Sequence, residues 1–427
     1  MLVYCEYSTP RVRYVIHHVF ERMLGMSVEW ASGAEEFRSA NGPRLSYGKE
    51  RLADVVHVPW SGGVNDLPRT DPQVDVRNDG PALFPVGDEE DLFAGIFYLL
   101  SLTDEARCTE RDAHGRVPST SLFTVRKGLA DRPWVDQKVM RLGTMLEMRW
   151  PGELGRQLQY RNIVTVDMDN ILRYAGRPFH RAVGASVKDL FSGAPAALSE
   201  RWLVRSGSVR DPYAKAIELV EAQRAKYQRA ILFFLMRGEG EFDHAADPRH
   251  PATQALIQRA ARHCEIGIHP SYGTEGNNEL HIQERTLLQQ IIGRSVQYSR
   301  QHFLRWQIPG TLQFLSGSEL AEDHTLGFSD RPGFRAGTCS PFPWYDMERE
   351  EESKLMLHPF AVMDSALIEQ QKLDPDGVFK AMAATSDAVR AVRGQFISVW
   401  HDRYLSGHRE FAAWPAVFER VMEHAKA

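Results

Sequence analysis

Apolar residues follow two rhythms along this chain. In the first hundred residues, strand-like runs alternate with helical spacing. MLVYCEY (Met1–Tyr7) reads as a strand, and VRYVIHHVFERML (Val12–Leu24) repeats apolar residues at helical intervals. ADVVHVPW (Ala53–Trp60) reads as a second strand, and DEEDLFAGIFYLLSLTDEA (Asp88–Ala106) as a helix with an acidic first turn. This alternation predicts a small mixed or parallel α/β N-terminal domain over residues 1–106. Residues 107–160 are more polar, with GRVPSTS (Gly115–Ser121) in their middle, and predict a linker with one helix, WVDQKVMRLGTMLEMRW (Trp134–Trp150).

From residue 161 to 427 the rhythm changes. Short apolar runs recur: IVTVDMD, RAILFFLMRG, CEIGIH, SVQYSRQHF, HTLGFS, KLMLHPFAVMD and GQFISVWHD. Helical stretches such as DPYAKAIELVEAQRAKY, PATQALIQRAARH and LHIQERTLLQQIIG separate them. Strands alternating with helices predict a parallel α/β barrel, complete or not. In such barrels the reactive groups stand at the C-terminal ends of strands. Asp167 and Asp169 end the first run, His269 the third and Asp364 the sixth; Arg300 and His302 lie near the end of the fourth, and His401 near that of the seventh. Residues i and i+2 of a strand share a face, so Asp167 is expected beside Asp169 and Arg300 beside His302.

Two carboxylates on one strand face repel each other, and burying both without a cation is costly. A divalent ion removes that cost. One Asp with one or two His and an open position suits Zn²⁺ or a similar ion that activates water, with the remaining carboxylate as base and a histidine as acid. The alternative is helix capping, for which Asn170 alone would suffice.

Composition changes this picture little. Hydrophobic residues are 43%, charged residues 25%, and the formal charge is −5, so neither a nucleic-acid partner nor a charged tail is indicated. Cys5, Cys108, Cys264 and Cys339 fit no metal or redox spacing and read as reduced thiols. No signal peptide is evident, and AILFFLM (Ala230–Met236) is far short of the ~20 residues of a membrane span. A cytoplasmic protein without a membrane span is expected.

The ordered motifs resemble the metal-dependent polysaccharide deacetylases of the nodulation-deacetylase type. That family has an irregular (β/α)7 barrel. Thr165-Val166-Asp167-Met168-Asp169-Asn170 is similar to its first motif, which implies Asp167 as base and Asp169 as metal ligand. His269 in EIGIHPSY matches the first histidine of the second motif; the second histidine is missing, and His302 is the candidate to replace it. Arg300 matches the third motif and is expected to orient Asp167. His401 in ISVWHD matches the last and implies the general acid. The resemblance covers residues 161–427. The N-terminal part, with DLFAGIFYLLSLTDEA and GFRAGTC (Gly333–Cys339), resembles the uncharacterised domain preceding a divergent subgroup.

The resemblance implies a zinc-dependent enzyme, with nickel, cobalt or iron as alternatives, that removes acetyl groups from an N-acetylated sugar or polysaccharide. GFRAGTCSPFPWYD (Gly333–Asp346) reads as a long loop in which Trp344 and Tyr345 could stack on sugar faces and Arg335 could bind an acidic or hydroxyl group, with Asp364 on the pocket rim. A metal-free carbohydrate-binding or scaffolding protein on the same fold is the alternative. Use of nucleotide-linked sugars is a third reading, against which stands the lack of any GxGxxG or P-loop sequence in the N-terminal part.

Overall fold

Thr9 opens the first helix, Pro10–His17, by accepting the Val12 N–H, with Pro10 in the first turn. This helix continues in a wider turn to Met23. Four parallel strands, β1 (Leu2–Cys5), β2 (Glu29–Trp30), β3 (Arg44–Gly48) and β4 (Val56–Pro59), form the first sheet, ordered β2-β1-β3-β4. The computed structural model describes all residues except 53, 68–69, 78–79, 156–157, 178 and 192–194. Ala53, in the expected strand Ala53–Trp60, therefore lies outside the described residues. Two hairpins follow, β5 (Val74–Arg77) with β6 (Gly80–Leu83), and β7 (Pro85–Val86) with β8 (Glu89–Glu90).

The expected acidic first turn at Asp88–Glu90 is instead the end of a hairpin. The helix begins at Leu92, because Asp91 caps it by accepting the Ala94 N–H at 3.0 Å. Every residue of Leu92–Leu100 is buried. A helix apolar all round belongs between two layers. Phe93 packs on Tyr47 of β3 with ring centroids 5.0 Å apart, and Phe97 packs on Tyr345 of the second sheet at 5.2 Å.

That second sheet has nine strands: β9 (Arg161–Met168), β10 (Arg229–Leu235), β11 (Glu265–His269), β12 (Tyr298–Ser299), β13 (Glu322–Asp323), β14 (Phe342–Asp346), β15 (Glu351–Leu357), β16 (Val362–Met363) and β17 (Gln395–His401). Their order is β14-β15-β13-β12-β11-β10-β9-β17-β16, and only β14 runs antiparallel to its neighbour. The protein is thus of mixed α/β class. Side chains alternate with period two. Val164, Val166 and Met168 join the main core, whereas Ile163 joins a separate inner cluster and Thr165 and Asp167 meet Arg300. Gly267 leaves room for the inward-facing ring of Phe233, which a Cβ at that position would meet at 2.4 Å. Among the described residues β14 and β16 are sheet edges. Single backbone bonds bridge part of the gap: His358 N donates to Asp323 O, Phe360 N to Leu326 O and Ala361 N to Ile397 O.

Three expected elements differ. HTLGFS is not a strand, because β13 stops at Asp323, whose carboxylate takes the backbone N–H and hydroxyl of Thr325. SVQYSRQHF pairs only at Tyr298–Ser299, and His302 stands in a helical turn with Phe303 at φ 58°, so Arg300 and His302 do not share a strand face. The stretch ending FPWYD is the edge strand β14, where Pro343 is tolerated.

Consecutive residues of a strand point to opposite faces, yet Trp344 and Tyr345 are both 1% exposed. The N-terminal helices cover one face, where Tyr345 meets Tyr14 at 5.1 Å and Tyr14 donates to Pro343 O at 2.8 Å. One apolar core runs through both sheets. Trp344→Ala is therefore expected to cost about 3–5 kcal/mol and to lower one common unfolding transition in calorimetry. Two separate transitions in the wild type would contradict a shared core.

Candidate active site

A cavity of about 440 Å³ opens at the C-terminal ends of the parallel strands, a volume in the range of small-ligand pockets. Asp167, Asp169, His269, His302 and His401 line it. Arg300 and Asp364 stand behind this surface, both 0% exposed.

Arg300 is held on every side. Its Nη1 donates to Asp167 Oδ1 at 2.8 Å, Nη2 to Thr165 Oγ1 at 2.9 Å and Nε to His324 O at 3.0 Å. Its guanidinium carbon lies 4.5 Å from the centroid of the Phe233 ring. The carbonyl of Arg300 meets Nδ1 of His269 at 2.6 Å. A carbonyl only accepts, so Nδ1 carries the proton and the Nε2 lone pair faces the cavity. There Nε2 lies 3.4 Å from Asp169 Oδ1 and 3.9 Å from Asp167 Oδ2.

His302 has the same design with a different support. Its Nδ1 meets Asp243 Oδ1 at 2.9 Å, and its Nε2 stands 3.8 Å from Asp169 Oδ1. Asp169, His269 and His302 thus bring one ligand atom each within 4.8 Å of one another. Asp169 Oδ1 is buried without a hydrogen-bond partner, an oxygen that a cation would satisfy. Burial opposes a charge on His269, yet Asp167, Asp169 and the Arg300 carbonyl outweigh it and raise its pKa. Burial likewise opposes charge on Asp169, and the surrounding histidines overcome it and pull its pKa down. This corner of the cavity favours positive charge, and its two-nitrogen, one-oxygen donor set fits zinc or a similar divalent ion.

A second group, Glu322, His324 and His358, is equally close-set but differently oriented. The rings of His324 and His358 stack 4.6 Å apart at an interplanar angle of 21°. Imidazole binds a metal in its ring plane, so nearly parallel rings cannot aim both lone pairs at one ion. Arg229 already stands 2.7 Å from Glu322 Oε2. His324 Nε2 also meets Glu322 Oε2 at 3.0 Å, so this carboxylate is already engaged. The His269 and His302 rings cross at 61°, which lets their planes intersect.

Opposite the Asp-His-His group, Asp364 fixes His401 twice. Asp364 Oδ1 takes His401 Nδ1–H at 2.6 Å, and Oδ2 takes the His401 backbone N–H at 2.7 Å. Burial lowers the pKa of His401, but the charges of Asp364 and Asp169 raise it to about 9. Asp402, pushed up to about 7 by burial and then by Asp169, accepts the Asn170 N–H at 2.7 Å.

The expected substrate groups are not brought together here. Trp344 and Tyr345 are core residues, buried because the N-terminal helices cover β14. Arg335 does not line the cavity: both branches of its guanidinium grip Glu105 at 2.8 Å, which ties the helix Thr103–Arg107 to the Gly333–Cys339 segment. Asp364 supports His401 from behind instead of forming a rim. Sequence reasoning missed Asp243 and the wall from Asp112 to Thr120. Arg116 donates to Phe303 O at 3.0 Å, Arg305 to His114 O at 2.8 Å, and Ser119 to Asp330 Oδ2 at 2.6 Å. No local pattern marks these residues; the polar run around GRVPSTS is their only trace.

Residues 1–151 match the model of a family of unknown function, DUF7033. No curated protein matches the chain. Among solved structures, a Mycobacterium smegmatis protein assigned to the polysaccharide deacetylases is similar at 14% identity and TM-score 0.41, over 64% of this chain and 86% of that one. The Puue allantoinase is similar at 12% identity and TM-score 0.38, over 65% and 87%. The polysaccharide deacetylase Bc1974 from Bacillus cereus is similar at 14% identity and TM-score 0.30, over 62% and 87%. Likeness at this level fixes neither activity nor substrate.

Proposed function

We propose that the chain is a divalent-metal-dependent hydrolase that removes an acetyl group from an N-acetylated sugar or polysaccharide. Residues 161–427 would form an irregular (β/α) barrel, preceded by a small α/β unit whose connecting segment supplies one cavity wall. The observation that carries this reading is the pairing of His269 and His302 around Asp169, each with Nδ1 anchored and Nε2 turned to the same carboxylate oxygen. His302 meets the need created by the missing motif histidine, which favours a catalytic site over a binding-only one.

An ion held by Asp169, His269 and His302 would supply acidified water and a polarised carbonyl. The chain's own residues do the rest. Arg300 fixes Oδ1 of Asp167, so Oδ2 is the oxygen that faces the cavity and takes a proton from water as the new C–O bond forms. His401, with Nδ1 committed to Asp364, presents Nε2 and gives its proton to the leaving nitrogen as the C–N bond breaks. Acetate and a free amine are the products.

The test is elemental analysis of untagged protein, followed by acetate release from N-acetylglucosamine and its oligomers. About one ion per chain is expected in the wild type, as one such group predicts, with a large loss in His269→Ala. An ion content unchanged by that substitution, or a loaded protein that releases no acetate, would overturn the proposal.

A further inference from the structure

One wall of the cavity does not come from the strand ends. Asp112–Thr120, in the segment between the two sheets, lies as a strap along the loops that follow β11, β12 and β13. Arg305 Nε donates to His114 O at 2.8 Å, and His114 Nδ1 meets the Tyr272 hydroxyl at 3.3 Å. Arg116 donates to Phe303 O at 3.0 Å, Arg335 to Val117 O at 3.4 Å and Ser119 to Asp330 Oδ2 at 2.6 Å. The strap is therefore fixed at both ends and in its middle. Phe303 and Leu304 stand at φ 58° and 55°, a costly backbone for residues with side chains that persists only where the surroundings enforce it. The strap does so: Arg116 grips the Phe303 carbonyl, and the His114 ring packs on the Phe303 ring with centroids 4.7 Å apart.

On the strap side the cavity offers a ring surface and a polar group. His114, Phe242 and Phe303 are half-buried, line the cavity and pack together with centroids 4.7 to 5.4 Å apart. Such an aromatic surface suits the C–H face of a sugar ring. Beside it Gln301, 4% exposed, lines the cavity, and its amide nitrogen has no hydrogen-bond partner among the described residues. A buried amide left unpaired is a place for a ligand's hydroxyl or carbonyl. On the other side the lining comes from strand ends, with Asn170 after β9, Ser365 and Glu369 after β16 and Arg403 after β17.

A polymer that reacts in its interior must leave the site on both sides of the reacting unit. Here the strap stands across one side. We infer that the cavity takes the end of a glycan chain, or a short free sugar, and that the rest of the chain leaves only past Asn170 and Arg403. This narrows the hydrolase proposed above, on which it rests, to terminal units: acetyl groups inside a long polymer lie out of reach. The cavity volume, about 440 Å³, is in the lower half of the range for ligand pockets, so units beyond the first few lie outside it.

The test is calorimetric titration of N-acetylglucosamine, its dimer and its hexamer into the full chain carrying His401→Gln, a change away from the strap that slows turnover during the measurement. Dimer and hexamer are expected to bind within about threefold of each other. A hexamer that binds more than about threefold tighter than the dimer, or a chain that binds none of the three sugars, overturns the inference. Adding Arg116→Ala and Ser119→Ala frees the strap, and the hexamer should then bind more than about threefold tighter than the dimer. If that variant keeps its unfolding transition and still binds both alike, something other than the strap ends the cavity, and the inference fails. If it does not fold, the titration with the intact strap decides alone. Tightening with length in a protein that releases acetate removes this inference only; a level Kd in a protein that releases none removes the hydrolase only.

Discussion

Arg300→Met is expected to cost about 3–5 kcal/mol of stability, the range for breaking a buried ion pair. Arg300 is wholly enclosed, and Asp167 is 2% exposed. Removing the cation leaves a nearly enclosed carboxylate without its hydrogen-bonded guanidinium, whereas an exposed pair would cost at most about 1 kcal/mol. The double variant Asp167→Asn, Arg300→Met should recover most of the loss, because replacing both partners removes the stranded charge. Urea unfolding of metal-free protein measures all three. A single variant that loses less than about 1 kcal/mol would show that the pair is solvated in solution. Loading with zinc should reduce the loss, since an ion on Asp169 places positive charge beside the stranded Asp167.

The second large effect is on turnover. His401→Gln is expected to lower kcat by about 10²–10⁴, the usual contribution of a positioned general acid, with ion content unchanged. The proton on His401 also predicts a pH dependence. A group whose pKa is raised to about 9 is charged below that value, so activity should fall as pH rises through about 9. Asp364→Asn removes the main charge that raises it. The alkaline limb of kcat should then move to lower pH, toward the ordinary histidine range near ~6.5. A limb that stays in place would assign it to a group other than His401.

Much of the interior could be read from the chain. In IVTVDMD the alternation alone places Thr165 and Asp167 on one face and Val164 and Val166 on the other, and the structure keeps that division. What the sequence did not reveal depends on residues far away. Trp344 and Tyr345 look like the aromatic tip of a Gly- and Pro-rich loop until Tyr14 and Phe97, about 250 to 330 positions earlier, pack on them. Arg335 reads as a free cation until Glu105 arrives. His302 approaches Asp169 from a turn, because the strand before it is only two residues long. Asp112–Thr120 reads as a polar connection, and only its bonds to Phe303, Arg305 and Asp330 make it a wall.

Arg300 touches both halves of the candidate chemistry, the base through its guanidinium and a candidate ion ligand through its carbonyl. The two attachments differ in how they are inherited. A codon change at position 300 removes the guanidinium and leaves the carbonyl, because every residue has one. A descendant lineage that lost this arginine would therefore lose its hold on Asp167 first and keep its grip on His269. On the proposed reading, such a lineage would pass through a stage that keeps the ion ligands in place with the base no longer oriented.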